Sequence, residues 1–495
     1  MNLAQWLLGS VVFVPLAAAM ITAVIPQRGF AVGLPTAVAG CVASVLLALE
    51  VARSGPVAMT LGGWAEPVGI GLRADGMSVV FLATAAVVGL LVTVYASGSA
   101  DARGTPFFWP LWLAMWAGLN AVFVAADLFN TYVALELVTV AGVGAVALGG
   151  ARAAGAALRY LLLAVLGSLW FLLAVALLYA TTGSLALEQV SSRLTTADGL
   201  TVAVAVSVAT LGLGLKSALA PMHAWLPPAH AGAPSAVSPL MSALVVKASL
   251  FVLFRLWTTL PVDAALLVVS QVVGVLGCIA VVWGSVAALR QDRLKRVVAY
   301  STVAQVGYFV LLVPLTAPAL VDGAGAEARA VATMAVQGTI AFVVGHALAK
   351  TAMFTAAGAL LHSYGTDKLT AMRGAAARHP VPVMAFGLAS IALAGLPPAV
   401  AFAGKWQLMT ASMHSGQWWW LPVLVGGGLL TAAYSGRVLT VMFSATRTEP
   451  ADESPADPAR MRYAALAAAV AAAVLGIGTS AALALSSTGV LGVAL

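Results

Sequence analysis

The sequence contains little charge and almost no cysteine. Only 8% of its 495 residues are Asp, Glu, Lys or Arg, whereas 62% are hydrophobic, and the mean hydropathy is +1.01. A soluble chain of this length does not combine so few charges with so much apolar surface, so the sequence predicts a protein that crosses a membrane many times. Cys41 and Cys278 fall in separate apolar segments, which argues against a disulfide and favours buried thiols.

Other absences exclude further classes of function. No basic tract interleaved with aromatic residues occurs, which argues against nucleic acid as a partner despite the net charge of +7. The first apolar segment, 3–25, lacks a basic leader and a small-residue cleavage site, so we interpret it as a retained span. No ligand set with metal spacing and no nucleophile–base pair is present. We therefore predict no metal site, no cofactor and no self-contained enzyme.

Apolar segments of about 20 residues, separated by Gly, Pro and charged clusters, predict an all-α polytopic membrane protein with about fourteen transmembrane helices. Their ranges are 3–25, 30–51, 75–97, 107–125, 127–149, 156–180, 200–220, 234–257, 264–289, 297–316, 330–361, 381–415, 417–444 and 462–485. The odd-numbered loops hold fifteen lysines and arginines, and the even-numbered loops hold four. Because basic loops face the cytoplasm, both termini are predicted to lie outside.

Two of the predicted helices are interrupted by prolines beside a lysine. Helix 7 breaks near Pro221, after Lys216, and helix 12 breaks near Pro397 and Pro398, before Lys405. Interrupted helices at matching places indicate two inverted five-helix repeats around a transport path. The predicted division is 1–106 for helices 1–3, 107–258 for the first repeat, 259–444 for the second repeat, and 445–495 for a cytoplasmic linker and the last helix.

Five ionisable residues lie at membrane depth: Glu136, Lys216, Lys247, Lys350 and Lys405. Placing a charged side chain in lipid costs about 3 kcal/mol, and five such residues would cost about as much as the total free energy of unfolding of a typical protein. We therefore place them inside the bundle. His346 joins them because it lies four residues before Lys350, on the same helix face. Mutually repelling lysines suit a proton relay, since protonating one weakens proton binding by the next.

Several of these residues also have a structural interpretation. Glu136 and Lys216 form either a proton-exchanging pair or an ion pair that only pins two helices. His223 and His230, in the proline-rich segment after Lys216, either give protons access from the cytoplasm or bond to backbone groups that the prolines leave free. Arg255, at the outer end of helix 8, is interpreted as an interfacial anchor.

The sequence resembles the antiporter-like subunits shared by respiratory complex I and the multisubunit Mrp-type cation/proton antiporters. The similar segments are the Glu136 helix, KSALAPMHAWLPPAHAGAPSAVS (216–238), Lys247, DRLKRVVAYSTVAQVGY (292–308), HALAKTAMF (346–354) and LPPAVAFAGKW (396–406). DLFNTYVALELVTV and GSLWFLLAVALLYATTGSL look most similar to the D-type subunit of the Mrp antiporters. Ala401 departs from the family pattern, which usually has glycine there, and this puts the local helix geometry in question.

The resemblance implies a role for each of the six ionisable residues placed inside the bundle, which we call the buried row. Glu136 and Lys216 would be the ion pair of the first half, Lys247 the link between halves, His346 and Lys350 the continuation, and Lys405 the terminal group. The chain would then be a proton-translocating subunit of a Na⁺(K⁺)/H⁺ antiporter in a bacterial plasma membrane, working beside other membrane subunits. The equivalent pump subunit of a redox complex, such as complex I or a membrane-bound hydrogenase, shares these motifs and stays open. A non-transporting scaffold is the third alternative.

Overall fold

The computed structural model describes residues 2–64, 69–99, 102, 104–194, 198–444 and 458–490. Most of the predicted cytoplasmic linker, residues 445–457 with Arg447, lies outside the described residues, as does Arg103.

Most of the described chain is helical. The longer helices are α1 (Leu3–Val24), α2 (Gly29–Ser54), α3 (Gly76–Gly98), α4 (Phe108–Val124), α5 (Leu128–Ala147), α6 (Ala151–Thr182), α7 (Gly199–Lys216), α8 (Val237–Thr259), α9 (Ala264–Leu289), α10 (Leu294–Phe309), α11 (Ala326–Tyr364), α12 (Pro380–Ala394), α13 (Val400–His414), α14 (Leu421–Phe443) and α15 (Ala459–Val474). Shorter helices are Leu187–Leu194, Leu226–Gly232, Leu312–Thr316, Ala375–Arg378 and Ser480–Ser486.

The helices have the length and composition of membrane spans. Within the described residues, eleven helical segments are long and apolar enough to cross a membrane, and α4 and α12 are shorter apolar helices. This confirms an all-α polytopic membrane fold. The count of fourteen, the division into two inverted repeats and the outside location of the termini stay predictions.

Three parts of the chain differ from the sequence-based expectation. The helix predicted over 330–361 is longer at both ends, since α11 is one continuous helix of 39 residues. The last predicted helix, 462–485, ends early at Val474, because the chain turns at Gly478 with a left-handed φ of +92°. A short antiparallel hairpin of β1 (Val57–Thr60) and β2 (Gly71–Ala74) joins α2 to α3, and no strand was predicted there.

Both predicted helix interruptions are present. Helix α7 ends at Lys216, and helical structure resumes at Leu226. Helix α12 ends at Ala394, and α13 begins at Val400. Lys216 is the last residue before the first break, where backbone groups are free of the helical ladder, and Lys405 lies inside the helix that follows the second break.

Glycines set the close approach of the helices that carry these two lysines. A Cβ at Gly212 of α7 would lie 2.5 Å from the Gly167 carbonyl oxygen of α6. A Cβ at Gly404 of α13 would lie 2.5 Å from the Phe342 backbone nitrogen of α11. Only glycine allows backbone contact this close, so both lysines are held against a neighbouring helix.

Candidate functional site

Glu136 of α5 and Lys216 of α7 form an ion pair inside the bundle. Lys216 Nζ donates to Glu136 Oε1 at 3.0 Å and to Thr139 Oγ1 at 2.9 Å, and it also contacts Ser168 Oγ. Ser168, on α6, donates to Glu136 Oε1 as well, so one hydroxyl joins acid and base. The lysine side chain is 6% exposed and the glutamate 25%. All three ammonium protons thus have acceptors, which offsets much of the cost of burying the charge.

Local backbone structure explains why Lys216 reaches this position. It is the last residue of α7, and Gly167 leaves room for its aliphatic stem at the surface of α6. The carbonyl of Leu215 accepts the backbone N–H of Ala218 at 3.2 Å and the indole N–H of Trp225 at 2.9 Å. Trp225 therefore packs against the end of α7 and helps to satisfy its last carbonyl groups.

Lys247 of α8 and His346 of α11 form the second contact. Lys247 Nζ lies 2.6 Å from His346 Nδ1 and donates to the carbonyl oxygen of Ser242 at 2.5 Å. Ser242 belongs to a π-helical turn, Met241–Val245, directly before the lysine. Such turns widen a helix and are frequent at functional sites. Lys247 is 2% exposed and His346 is fully buried.

Lys350 lies one turn beyond His346 on α11 and is fully buried. It donates to the Val298 carbonyl oxygen of α10 at 2.9 Å and contacts Ser301 Oγ of the same helix. No carboxylate lies within salt-bridge distance of it in the described part of the chain. Its partners are neutral dipoles, so a protonated Lys350 has a hydroxyl and a carbonyl to solvate its charge.

Lys405 of α13 follows the second break. It donates to the Ala394 carbonyl oxygen at the end of α12, at 3.0 Å, and its ammonium lies 4.7 Å from the ring centre of Tyr308 and 5.3 Å from that of Phe342. A helix C-terminus and two aromatic faces each favour a cation. Ala401 does not disturb α13, because its side chain packs on Gly345 of α11.

The two histidines of the proline-rich segment occupy different environments. His223 is half-buried; its Nε2 accepts the Trp283 indole N–H at 3.3 Å, and its Nδ1 has no hydrogen-bond partner within the ranges that the structure describes. His230 is fully buried and stacks on Phe354 at 4.5 Å, with no hydrogen-bond partner on either ring nitrogen among the described residues. The described structure thus shows no hydrogen bond from the His230 ring to the backbone, and both interpretations of His223 stay predictions. Their role in proton access stays a prediction.

Arg255 is not an interfacial anchor. Its guanidinium pairs with the fully buried carboxylate of Asp75, the residue that caps α3, and bonds to Ser78 Oγ at 3.1 Å. Arg255 therefore ties α8 to α3. Asp75 lies in a loop some 180 residues away, so the sequence alone carries no sign of this pair.

The sequence also missed the neutral groups around the lysines. Thr139, Ser168 and Ser301 each bond to a buried ammonium, and the hydroxyl of Tyr434 lies beside Ser301 and Gln305. Hydroxyl residues are common in apolar helices, where they usually bond their own backbone, so their types alone do not reveal such contacts. The described residues contain no cluster of three or more His, Cys, Asp or Glu that suits a metal ion.

Comparison with known proteins identifies the family. The sequence model described as "NADH:quinone oxidoreductase/Mrp antiporter, TM" matches residues 125–431, more than half of the chain. The chain belongs to this family. The match spans α5 to α14, and so includes every member of the buried row: Glu136, Lys216, Lys247, His346, Lys350 and Lys405.

Family members from both kinds of complex resemble the chain. NADH-quinone oxidoreductase subunit N of Desulforudis audaxviator is 34% identical over 471 residues, which cover 92% of this chain and 90% of that protein. The D-type subunit of the Na⁺/H⁺ antiporter of Bacillus subtilis is 30% identical over 383 residues, covering 76% of this chain and 74% of that protein.

Solved structures agree at the level of the fold. A chain of the Mrp complex from Dietzia sp. DQ12-45-1b is 24% identical with a TM-score of 0.87, covering 99% of this chain and 98% of that chain. A chain of respiratory complex I from Thermus thermophilus is 26% identical with a TM-score of 0.76, covering 98% and 100%. The antiporter-like fold expected from the sequence is therefore confirmed.

Proposed function

We propose that the chain moves protons along the buried row as a membrane subunit of a multisubunit complex. The observation that carries this proposal is the Glu136–Lys216 pair with Ser168 between them. A hydroxyl that contacts both members of a buried acid–base pair offers a short route for proton exchange. A pair that only pinned two helices would need no such bridge.

A cavity between Lys216 and the helix of Lys247 supports a continuous proton path from the first ion pair to the second lysine. This small cavity is lined by Lys216, by Thr139 of α5 and by Ser249 of α8. Ser249 lies two residues after Lys247, so the cavity reaches from the first ion pair to the helix of the second lysine. Four of its nine lining residues carry a polar group, and its volume of about 10 Å³ is at the lower limit for one water molecule, which could carry a proton over a gap too long for a direct hydrogen bond.

Polar groups continue beyond Lys350. Ser301, which contacts Lys350, has Tyr434 at its side, and Gln305 bonds to Thr431 Oγ1 at 3.4 Å. Tyr308, one turn along α10, lies under the Lys405 ammonium. These hydroxyl and amide groups span α10 and α14 between the last two lysines and support Lys405 as the terminal group.

For the complex itself we propose a Na⁺(K⁺)/H⁺ antiporter with other membrane subunits as partners, and hence a transporter subunit and no self-contained enzyme. The similarity of the Glu136 helix and of residues 167–185 to the D-type subunit of the Mrp antiporters supports this choice. The second candidate is the equivalent subunit of a redox complex, which the 34% identity to a subunit N over 92% of the chain favours. Mass spectrometry of co-purifying subunits separates them, because iron–sulfur or flavin proteins accompany only the redox complex.

The proposal is tested on the purified complex in vesicles that report internal pH. Adding Na⁺ or K⁺ to the wild type is expected to change the pH signal, whereas Glu136→Gln and Lys216→Met assemble normally and give no change. Glu188→Gln is the matched control, since Glu188 is 85% exposed and pairs with Arg73 at the surface. Wild-type exchange by Glu136→Gln and Lys216→Met would refute the relay and support a scaffold.

A further inference from the structure

A pocket with a strong positive charge lies at one end of the bundle, away from the buried row. We define this basic pocket by the residues that line it: Arg290, Gln291, Asp292, Arg293, Arg296, Lys368 and Thr370. They come from the loop between α9 and α10, the start of α10 and the loop after α11. This is the side that the distribution of basic loops assigns to the cytoplasm.

Backbone hydrogen bonds hold the two loops of the basic pocket together. Leu294 N–H donates to the Asp367 carbonyl at 2.8 Å, and Leu369 N–H donates to the Asp292 carbonyl at 2.9 Å. Arg293 and Lys368 thereby face each other as an isolated antiparallel bridge. The cations of the pocket are presented from a fixed frame and not from independent loops, which lowers the entropy cost of binding a ligand.

The acids near the pocket neutralise only part of its charge. Asp367 pairs with Arg293 at 3.1 Å, and Asp292 pairs with Arg437 of α14 at 3.1 Å. Arg290, Arg296 and Lys368 form no ion pair with any residue that the structure describes, and all three are exposed. Three uncompensated cations around one opening favour an anionic ligand.

An apolar surface leads from the lipid region to this charge. Ile279, Trp283, Val286 and Arg290 follow one another at spacings of three and four residues, so they form one stripe along α9. Ile279 and Trp283 are 49% and 57% exposed. A free anion has no apolar part that could contact this stripe. A phospholipid has both parts: its phosphate can lie at the basic residues while its acyl chains lie along the stripe.

We propose that the basic pocket binds the phosphate of an anionic phospholipid, with Arg290, Arg296 and Lys368 around the headgroup and the acyl chains along the Ile279–Trp283 stripe. The two loops and α14 meet at this pocket, so a bound lipid would brace the end of α10. None of the residues of the basic pocket belongs to the buried row, so lipid binding can be measured separately from proton transfer.

The test measures lipid binding to the delipidated, purified complex by native mass spectrometry with phosphatidylglycerol. The triple variant R290Q/R296Q/K368Q is expected to bind it on the order of a hundredfold more weakly, from about a fivefold loss per cation near the surface. The control R28Q/R152Q/R159Q removes three exposed arginines from the same side of the bundle and is expected to stay within about threefold of the wild type. Phosphatidylcholine is expected to bind all three proteins equally.

Three outcomes would overturn the proposal. Equal losses in the triple variant and the control would mean that overall surface charge attracts the lipid and the pocket does not. Saturation of the pocket by inorganic phosphate, shown by full competition against phosphatidylglycerol at equal concentration, would make it a site for a soluble anion. If the triple variant fails to assemble, K368Q and the charge-retaining K368R replace it, and equal binding by both variants would count against the site.

Discussion

Lys247 Nζ and His346 Nδ1 lie 2.6 Å apart, and both side chains are buried. Two nitrogens cannot both donate across such a contact, so the lysine and the histidine are not both protonated; when the pair carries one positive charge, either an ammonium faces a neutral imidazole or an imidazolium faces a neutral amine. In that singly charged state the proton can move between the two groups without a change in the total charge.

His346→Gln tests this pair directly. Glutamine keeps an acceptor for Lys247 but cannot exchange a proton, so assembly is expected to persist while proton flux falls by about a hundredfold. The measurement is the rate of pH change in vesicles that contain the complex. His362→Gln is the control, because His362 lies on the same helix in an exposed position. Flux above half of the wild-type rate in His346→Gln would remove the histidine from the relay.

Ser168→Ala is expected to slow proton transfer without stopping it. The hydroxyl bridge between Glu136 and Lys216 is lost, but their direct contact at 3.0 Å and the Thr139 contact remain. We expect flux to fall by about tenfold to a hundredfold, as for the loss of one hydrogen bond to a charged group, which contributes about 1.5–3 kcal/mol. Ser270→Ala is the matched control, since that buried hydroxyl donates to its own helix at Leu267. An equal effect of both variants would contradict a bridging role.

Pro15 and Asn120 are coupled through the Val11 carbonyl, and a double-mutant cycle can measure this coupling. Proline at position 15 has no N–H to donate to the Val11 carbonyl, and the Asn120 side-chain amide donates to it instead at 2.6 Å. Asn120→Leu is expected to lower the free energy of unfolding by about 1–3 kcal/mol, because a buried carbonyl loses its partner. In the Pro15→Ala background the helix supplies its own donor, so the cost of Asn120→Leu is expected to shrink. Thermal unfolding measures both steps, and an unchanged cost in the Pro15→Ala background would show that Asn120 acts elsewhere.

The Asp75–Arg255 pair predicts a dependence of stability on pH. Burial alone would raise the pKa of the Asp75 carboxyl, but the charge and hydrogen bonds of Arg255 and the Ser78 N–H lower the pKa below its usual value. A carboxyl with a lower pKa in the folded state stabilises the protein above its unfolded pKa of about 3.9, and this contribution is lost as the pH falls through the folded value.

Asp75→Asn is therefore expected to cost about 3–5 kcal/mol of unfolding free energy at pH 7, because Arg255 loses its buried partner. The difference from the wild type is expected to narrow in strong acid, where the wild-type carboxyl is protonated as well. This difference in unfolding free energy is measured by unfolding the detergent-solubilised complex at pH 7 and at acid pH, with Glu188→Gln as a surface control. A difference that stays constant with pH would show that Asp75 acts through shape and not through charge.

The sequence predicts the charged part of the site better than its neutral part. Lys216 and Lys405 stand out because a cation beside a proline in an apolar segment has few structural explanations. The Glu136–Lys216 contact, His346 with Lys350 on one helix face, and both helix breaks follow from spacing and cost alone. The partners Ser168 and Ser301 do not, because a serine in an apolar helix is consistent with many environments.

Long-range geometry accounts for most of what the sequence did not predict. The Arg255–Asp75 pair depends on how α3 and α8 pack. Helix α15 ends at Val474 because the backbone at Gly478 adopts a conformation that a hydropathy pattern does not record. In each case tertiary packing decides between local structures of similar energy.

The exposure of Glu136 gives the buried row two unequal ends. Its side chain is 25% exposed, whereas Lys405 at the other end is 4% exposed. A neighbouring protein that covered α5 would change the dielectric around Glu136 without touching the inner lysines. If protons move along the row as proposed, a change of solvation at Glu136 would act on Lys216 first and on the inner lysines only through it.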